Sequence, residues 1–438
     1  MASADATQTA SSGALMVRWQ GVITPDQAVL KRLEGLAGLL LLALFTGLPF
    51  FTRTGLALVI AACGVLWLLW CLCSPPPQRI GTISRWLMLF LAIAIVATGC
   101  SPVPIAASKG LIKLLSYLGV YALLCKLLLS NSRWWNRLIA GLLSGGLFSS
   151  VLALRQLYAS NEALAGWADP NSISAGTVRI YGPLGNPNLL AGYLLALIPF
   201  AAIALVRWRG VGAQLFAGTT LVLAATATLF TYSRGGWLGI VAAGAVLLLL
   251  LLLRWTRHWP PLWRRLVPLA VLLVGAACLV VAATQIDPIR TRITSLLAGR
   301  GDSSNNFRIN VWMAAIQMVQ DRPWLGIGPG NTAFNSIYPL YQQPKFNALS
   351  AYSVPLEILV ETGIPGLLAC LGLLASSLRQ GLKQLNSDAP SALASIASLA
   401  AIAGLLMQGS TDTIFFRPEV QLIGWFALAS LVSRPRES

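Results

Sequence analysis

Histidine is nearly missing from this 438-residue chain; His258 is the single one. Acidic residues are scarce too, 14 Asp and Glu against 31 Lys and Arg, and charged residues together make up only 10%. A soluble globular chain carries about 25% charge. At this composition there is too little polar surface to keep a folded monomer in water. Intrinsic disorder is excluded by the 56% apolar content, because disordered chains are poor in apolar residues. The seven cysteines form no zinc-finger spacing and fall in or beside apolar runs, so they read as buried free thiols. With one His and no such cysteine pattern, neither a metal nor another cofactor is expected.

Apolar sequence in long runs is what the chain has instead, and its mean hydropathy is +0.72. A hydrocarbon core of ~30 Å needs about 20 apolar residues per helix. The pattern predicts an all-α polytopic membrane protein with about 12 transmembrane helices, near 34–52, 55–73, 84–100, 110–129, 138–157, 189–206, 212–232, 236–253, 266–285, 354–378, 391–410 and 419–433. Basic residues concentrate in alternate short connections, which puts both termini in the cytoplasm. The predicted organisation is a cytoplasmic segment 1–33, nine helices within 34–285, a large periplasmic loop 286–353, three helices within 354–433 and a cytoplasmic tail 434–438. No signal peptide is visible, so the first long run is retained as a span of the cytoplasmic (inner) membrane. The net charge of +17 reads as topology, not as nucleic-acid binding. Membrane lipids are the expected surroundings, and the oligomeric state is not legible. The basic, tryptophan-rich stretch 254–265, which holds His258, falls on the inner face; it suits anionic lipid, but topology alone is the simpler account.

Two outer segments are long, 158–188 and 286–353. The second is predicted to contain a short amphipathic helix over about 306–321, with Ser303, Ser304 and Asn305 as capping candidates. Phe307, Val311, Trp312, Ala315, Ile316 and Val319 recur at helical spacing, which suits a helix lying apolar side down on the membrane. Pro323 stops it. The glycines of 326–331 read as a turn cluster using positive φ, not as a phosphate loop.

Three arginines are predicted on the outer side. Arg234 lies in Thr231-Tyr-Ser-Arg-Gly-Gly-Trp237, a tight hairpin between two apolar runs. A cation there is costly unless it snorkels or meets an anion. Arg308 falls in the first turn of the outer helix, where the dipole disfavours cations; an anionic ligand or a salt bridge to Asp302 would each explain it. Arg179 precedes the turn-rich stretch 180–188. Together they are candidates for binding a phosphate- or carboxylate-type anion, since guanidinium grips both bidentately. Glu357 and Glu361 lie one turn apart in the tenth run, and Asp412 ends the eleventh. Intramembrane carboxylates mark either a functional site or a buried partner for the arginines.

The stretches Thr231–Trp237, Arg308-x-x-x-Trp312, Gly326-Ile-Gly328 and Glu361-Thr-Gly-Ile-Pro-Gly366 resemble the motifs of the O-antigen ligase/polymerase superfamily. More narrowly, Tyr181–Leu190, Gly301–Trp312, Asp321–Phe334 and Ala348–Leu356 resemble the cyanobacterial bicarbonate transporter family, inorganic carbon transport protein B, over roughly 18–433. The narrower resemblance implies inorganic carbon transport, with bicarbonate as the anion. The broader one implies transfer of a glycan from an undecaprenyl-diphosphate carrier to an acceptor sugar, with Arg234 and Arg308 holding the diphosphate. It also implies a histidine base in an Ala-His-Asn motif. Here the sequence reads Ala351-Tyr352-Ser353. Tyrosine is mostly protonated at neutral pH. The candidate catalytic residues are therefore Tyr352, Glu357 and Glu361. A third reading is binding of the lipid diphosphate without chemistry.

Overall fold

The structure is a computed structural model and describes residues 27–74, 81–158, 179–285, 290, 294, 298–385 and 391–432. Each of the twelve apolar runs falls in a helix: α1 Gln27–Gly47, α2 Arg53–Leu72, α3 Thr82–Gly99, α4 Pro104–Ser130, α5 Arg133–Arg155, α6 Pro187–Arg207, α7 Val211–Phe230, α8 Arg234–Trp255, α9 Pro261–Gln285, α12 Val354–Leu385, α13 Ser391–Gly409 and α14 Pro418–Val432. Between α9 and α12 stand α10 Ser303–Asp321 and α11 Asn331–Ile337. Among the described residues, 10 helices are long and apolar enough to cross a membrane. Of the other two, α1 carries Lys31, Arg32 and Glu34 in its first turns, and α14 has only 15 residues. Large apolar side chains such as Leu58, Leu72, Ile105 and Val211 stand exposed on the outside of the bundle. That surface suits lipid, where the exterior is as apolar as the interior.

Helix α6 is the hub, with 83% of its apolar window buried. It packs on α7, α8, α13 and α14. Phe200 of α6 meets Phe426 of α14 at 5.2 Å, and Phe426 meets Phe45 of α1 at 5.4 Å. Helices α8 and α13 approach closely through Gly239 and Gly404; a Cβ on either would stand 2.9 Å from the other's carbonyl. Small residues at helix contacts allow such approach, and it compensates for the weak hydrophobic drive inside lipid.

The described part of the segment 286–353 departs from the expectation. Its helix α10 is there, but Asp302 caps it, accepting from the Asn305 amide, in place of the three residues predicted. Much of its apolar side packs on protein. Val311, Ala314, Ala315 and Met318 turn inward and join Ile327, Phe334, Tyr338 and Val360 in a second apolar core, separate from that of the bundle. Ile316, grouped with that apolar side in the sequence, is exposed. The reason is that α12 and the short turn Tyr338–Leu340 pack on α10, which the 3.6-residue period alone cannot reveal.

Helix α12 is broken. Gly363 has φ 68° and ψ −170°, so the chain leaves helical geometry there. The Gly326–Gly330 turn docks on the break: Ile327 N donates to Val360 O at 2.9 Å, Gly328 N to Glu361 O at 2.9 Å, and Ile364 N to Pro323 O at 2.8 Å. The expected positive φ holds at Gly326, Gly328 and Gly330. The cysteines are free thiols, as read, but only Cys63 is buried; Cys71, Cys100 and Cys278 are exposed. Positions on the outer faces of apolar helices meet membrane, not protein, so an apolar run does not imply burial in the fold.

Candidate functional site

The tight hairpin between α7 and α8 is real: three residues, Thr231–Ser233, separate Phe230 from Arg234. Ser233 caps α8 by accepting from the Gly236 amide at 3.2 Å. Tyr232 reverses the chain at φ 48°, a conformation costly for a bulky side chain. The turn presents Arg234, 10% exposed, whose Nη2 lies 3.1 Å from Asp302 Oδ1. Asp302 is fully buried and also caps α10. Of the two explanations offered for Arg308, the bridge to Asp302 is not formed; Asp302 pairs instead with Arg234 and ties the hairpin to α10.

Arg179 reaches the same hairpin. Its Nε donates to the Thr231 carbonyl at 2.9 Å, and its Nη2 to Asn188 Oδ1 at 2.7 Å. Asn188 Nδ2 in turn donates to Asp412 Oδ2 at 3.2 Å. Asp412 also accepts from the Thr413 amide at 2.7 Å. Arg308 completes the group: its Nη1 donates to Ser304 Oγ at 3.2 Å, and its charge interacts with Asp412, Arg234, Tyr352 and Asp302. The structure therefore brings the three arginines into one neighbourhood, held by two buried carboxylates. Arg308 differs from the other two. Its Nε is buried and has no hydrogen-bond partner, and the same is true of Trp312 Nε1, four residues on along α10.

Burial sets the protonation pattern. It pushes Asp412 above its usual carboxylate range, opposed by Arg308, by backbone amides and by Arg179. It lowers Arg308, opposed by Asp412. Burial and the negative charge of Asp412 raise Tyr352, so its phenol stays protonated at neutral pH. Tyr352 is a second bulky residue in left-handed geometry, at φ 50°. Its ring meets Phe307 edge-on at 5.4 Å.

Glu357 and Glu361 do different work from the arginines. The Glu357 carboxylate accepts from the Ala351 amide, and Glu361 Oε1 accepts from the Gly330 amide at 2.7 Å. Both are buried. Neither forms an ion pair or hydrogen bond with Arg179, Arg234 or Arg308. They tie loop backbone to α12. Sequence reasoning missed Asn188 as the bridge from Arg179 to Asp412; the Asn-Pro-Asn turn signalled a helix start but not that contact. Among the described residues no three His, Cys, Asp or Glu side chains gather to hold a metal ion.

No curated protein matches the chain. The family model described as O-antigen ligase matches residues 219–371. That stretch contains the hairpin with Arg234, Asp302, Arg308, Trp312, Tyr352 and both glutamates, whereas Arg179, Asn188 and Asp412 lie outside it. The helices fit a multi-pass membrane protein, and about a third of the chain, residues 219–371, is similar to the O-antigen ligase family.

Proposed function

We propose that the protein binds the diphosphate of a polyprenyl-linked glycan on the outer side of the cytoplasmic membrane, with Arg308 as the primary contact and Arg234 and Arg179 behind it. One observation carries this reading: the buried, unpartnered donors Arg308 Nε and Trp312 Nε1, one helical turn apart. A buried donor left unsatisfied costs about 1–3 kcal/mol, and diphosphate oxygens offer both donors an acceptor. Charge balance supports it. Three guanidinium groups against Asp302 and Asp412 leave one net positive charge, or two when Asp412 is protonated. The second state matches a doubly charged diphosphate diester.

The same site is rich in donors and short of bases. Tyr352 is protonated, and the two glutamates are committed to backbone amides. Binding is therefore the activity this geometry supports best. Glycan transfer would form a bond from the acceptor hydroxyl oxygen to the sugar anomeric carbon and break the carbon–phosphate-oxygen bond. The diphosphate would leave with the electron pair, and the hydroxyl proton would pass to Asp412, whose raised pKa favours that role. Bicarbonate transport, the activity implied by the narrower resemblance, has one supporting observation: with both carboxylates ionised, the single residual positive charge equals that of one monoanion.

The test is a binding titration of undecaprenyl diphosphate and of bicarbonate against the protein in nanodiscs. Wild type is expected to bind the diphosphate, and Arg308→Gln to bind it roughly thirtyfold more weakly, the loss of about 2 kcal/mol for a charge-assisted hydrogen bond. Equal diphosphate affinity in the variant would overturn the reading. Saturable bicarbonate binding together with flux into proteoliposomes would replace it with transport.

A further inference from the structure

The end of α8 away from Arg234 holds a second basic cluster that the reading above does not use. The helix has 22 residues, so the two ends stand about 33 Å apart at 1.5 Å per residue. From Arg254 to Arg265 there are four arginines and no acid. Two have partners: Arg254 Nη1 donates to Leu385 O at 3.1 Å, and Arg257 Nε to His258 Nε2 at 2.8 Å. Arg264 and Arg265 are exposed, and their guanidinium groups make no hydrogen bond or ion pair among the described residues. Arg264 sits in the first turn of α9, where the helix dipole disfavours a cation.

Beside these two arginines the fold leaves a cleft. Helix α9 packs on α8 and the short turn before it, and Pro268 is its one buried residue among those described. Beside α8 and α9 lies a cavity of about 590 Å³, lined by Leu249, Leu253 and Leu269 together with Trp259, Arg264 and Arg265. A lining that combines leucines with a tryptophan and two unpaired guanidinium groups is complementary to an amphiphile with an anionic head. A soluble anion would not need the leucine wall, and a neutral lipid would leave the arginines unmatched.

We infer that this cleft binds one anionic phospholipid, its phosphate on Arg264 and Arg265 and an acyl chain against Leu249, Leu253 and Leu269. The site lies at the opposite end of α8 from the proposed diphosphate site and does not depend on it. Each basic residue near an anionic lipid surface contributes about 1 kcal/mol, so loss of both arginines is expected to weaken binding roughly thirtyfold.

Native mass spectrometry of the purified full-length protein tests this, with phosphatidylglycerol, phosphatidylcholine and glycerol phosphate added separately. Wild type should retain one phosphatidylglycerol under activation that strips phosphatidylcholine, and should not retain glycerol phosphate. The variant Arg264→Gln/Arg265→Gln should lose the retained lipid with its thermal midpoint in detergent unchanged. Leu269→Trp, which fills the wall and keeps both arginines, should lose it too, and serves alone if the double variant does not fold. Retention of phosphatidylglycerol by the folded variants would refute the site. So would equal retention of phosphatidylcholine, binding of glycerol phosphate, or a second copy of the chain covering α9.

Discussion

Arg234 and Arg308 stand in one cluster but should fail in different ways. Arg234 balances the fully buried Asp302, so Arg234→Gln removes its counter-charge and should cost about 3 kcal/mol of stability. Thermal unfolding in detergent should show a lowered midpoint, partly restored in Arg234→Gln/Asp302→Asn; an unchanged midpoint for the single variant would contradict the pairing. Asp412 brings a pH dependence. Its folded pKa is raised above the ordinary 3.8, so its stabilising contribution is full below that value and lost as pH rises through the raised one. Over the same range, falling pH removes a negative charge from the cluster and should strengthen anion binding. Asp412→Asn should flatten both profiles, and a persisting slope would assign the titration to another group. The arginines were legible because a guanidinium amid apolar sequence demands an explanation. Their partners were not. Asp302 looked like a neighbour of Arg308, six residues away, whereas it pairs with Arg234 across 68 residues. Long-range pairing of that kind leaves no local signal.

The elements that frame the site depend on one broken helix. Hydropathy marked 354–378 as an ordinary span, and the glycines of 326–330 as turns, but nothing in either pattern said that the turn fills the break. A Cβ at Gly363 would stand 2.4 Å from the Trp324 carbonyl carbon, and one at Gly326 2.3 Å from Val360 O. Both glycines also have positive φ, where an L side chain costs about 1–2 kcal/mol before any clash. Gly363→Ala should therefore abolish or sharply reduce folded protein, measured as monodisperse yield. Gly185→Ala is the matched control: its φ is 68°, but a Cβ there meets nothing within 4 Å. It should cost only the backbone strain, and equal damage from both variants would mean that docking of the turn contributes little. Helix α10 was found by its period, yet placed on the membrane instead of against α12, because amphipathicity reports which face is covered and not by what.

At the scale of the molecule, α8 carries the proposed diphosphate site at one end and the basic lipid cleft at the other. In a cysteine-free background, a cysteine in place of Arg308 should react with an impermeant maleimide on intact cells. One in place of Arg265 should react only after the membrane is opened. Labelling of both from the same side would contradict the topology expected from the basic residues. Helix positions were readable from hydropathy because lipid imposes length and apolarity on every span, whereas 10 helices among the described residues, not 12, are long and apolar enough to cross a membrane. The grouping of Arg179, Arg234 and Arg308 was not, because it arises from α6, the α7–α8 hairpin, α10 and the α13–α14 connection meeting in space. The most direct measurement of the central claim is photocrosslinking with a polyprenyl diphosphate that carries a diazirine next to the phosphates. The account predicts adducts on peptides containing Arg308, Trp312 or Tyr352, lost in Arg308→Gln and displaced by unlabelled diphosphate. Adducts confined to other helices, or unaffected by loss of Arg308, would contradict it.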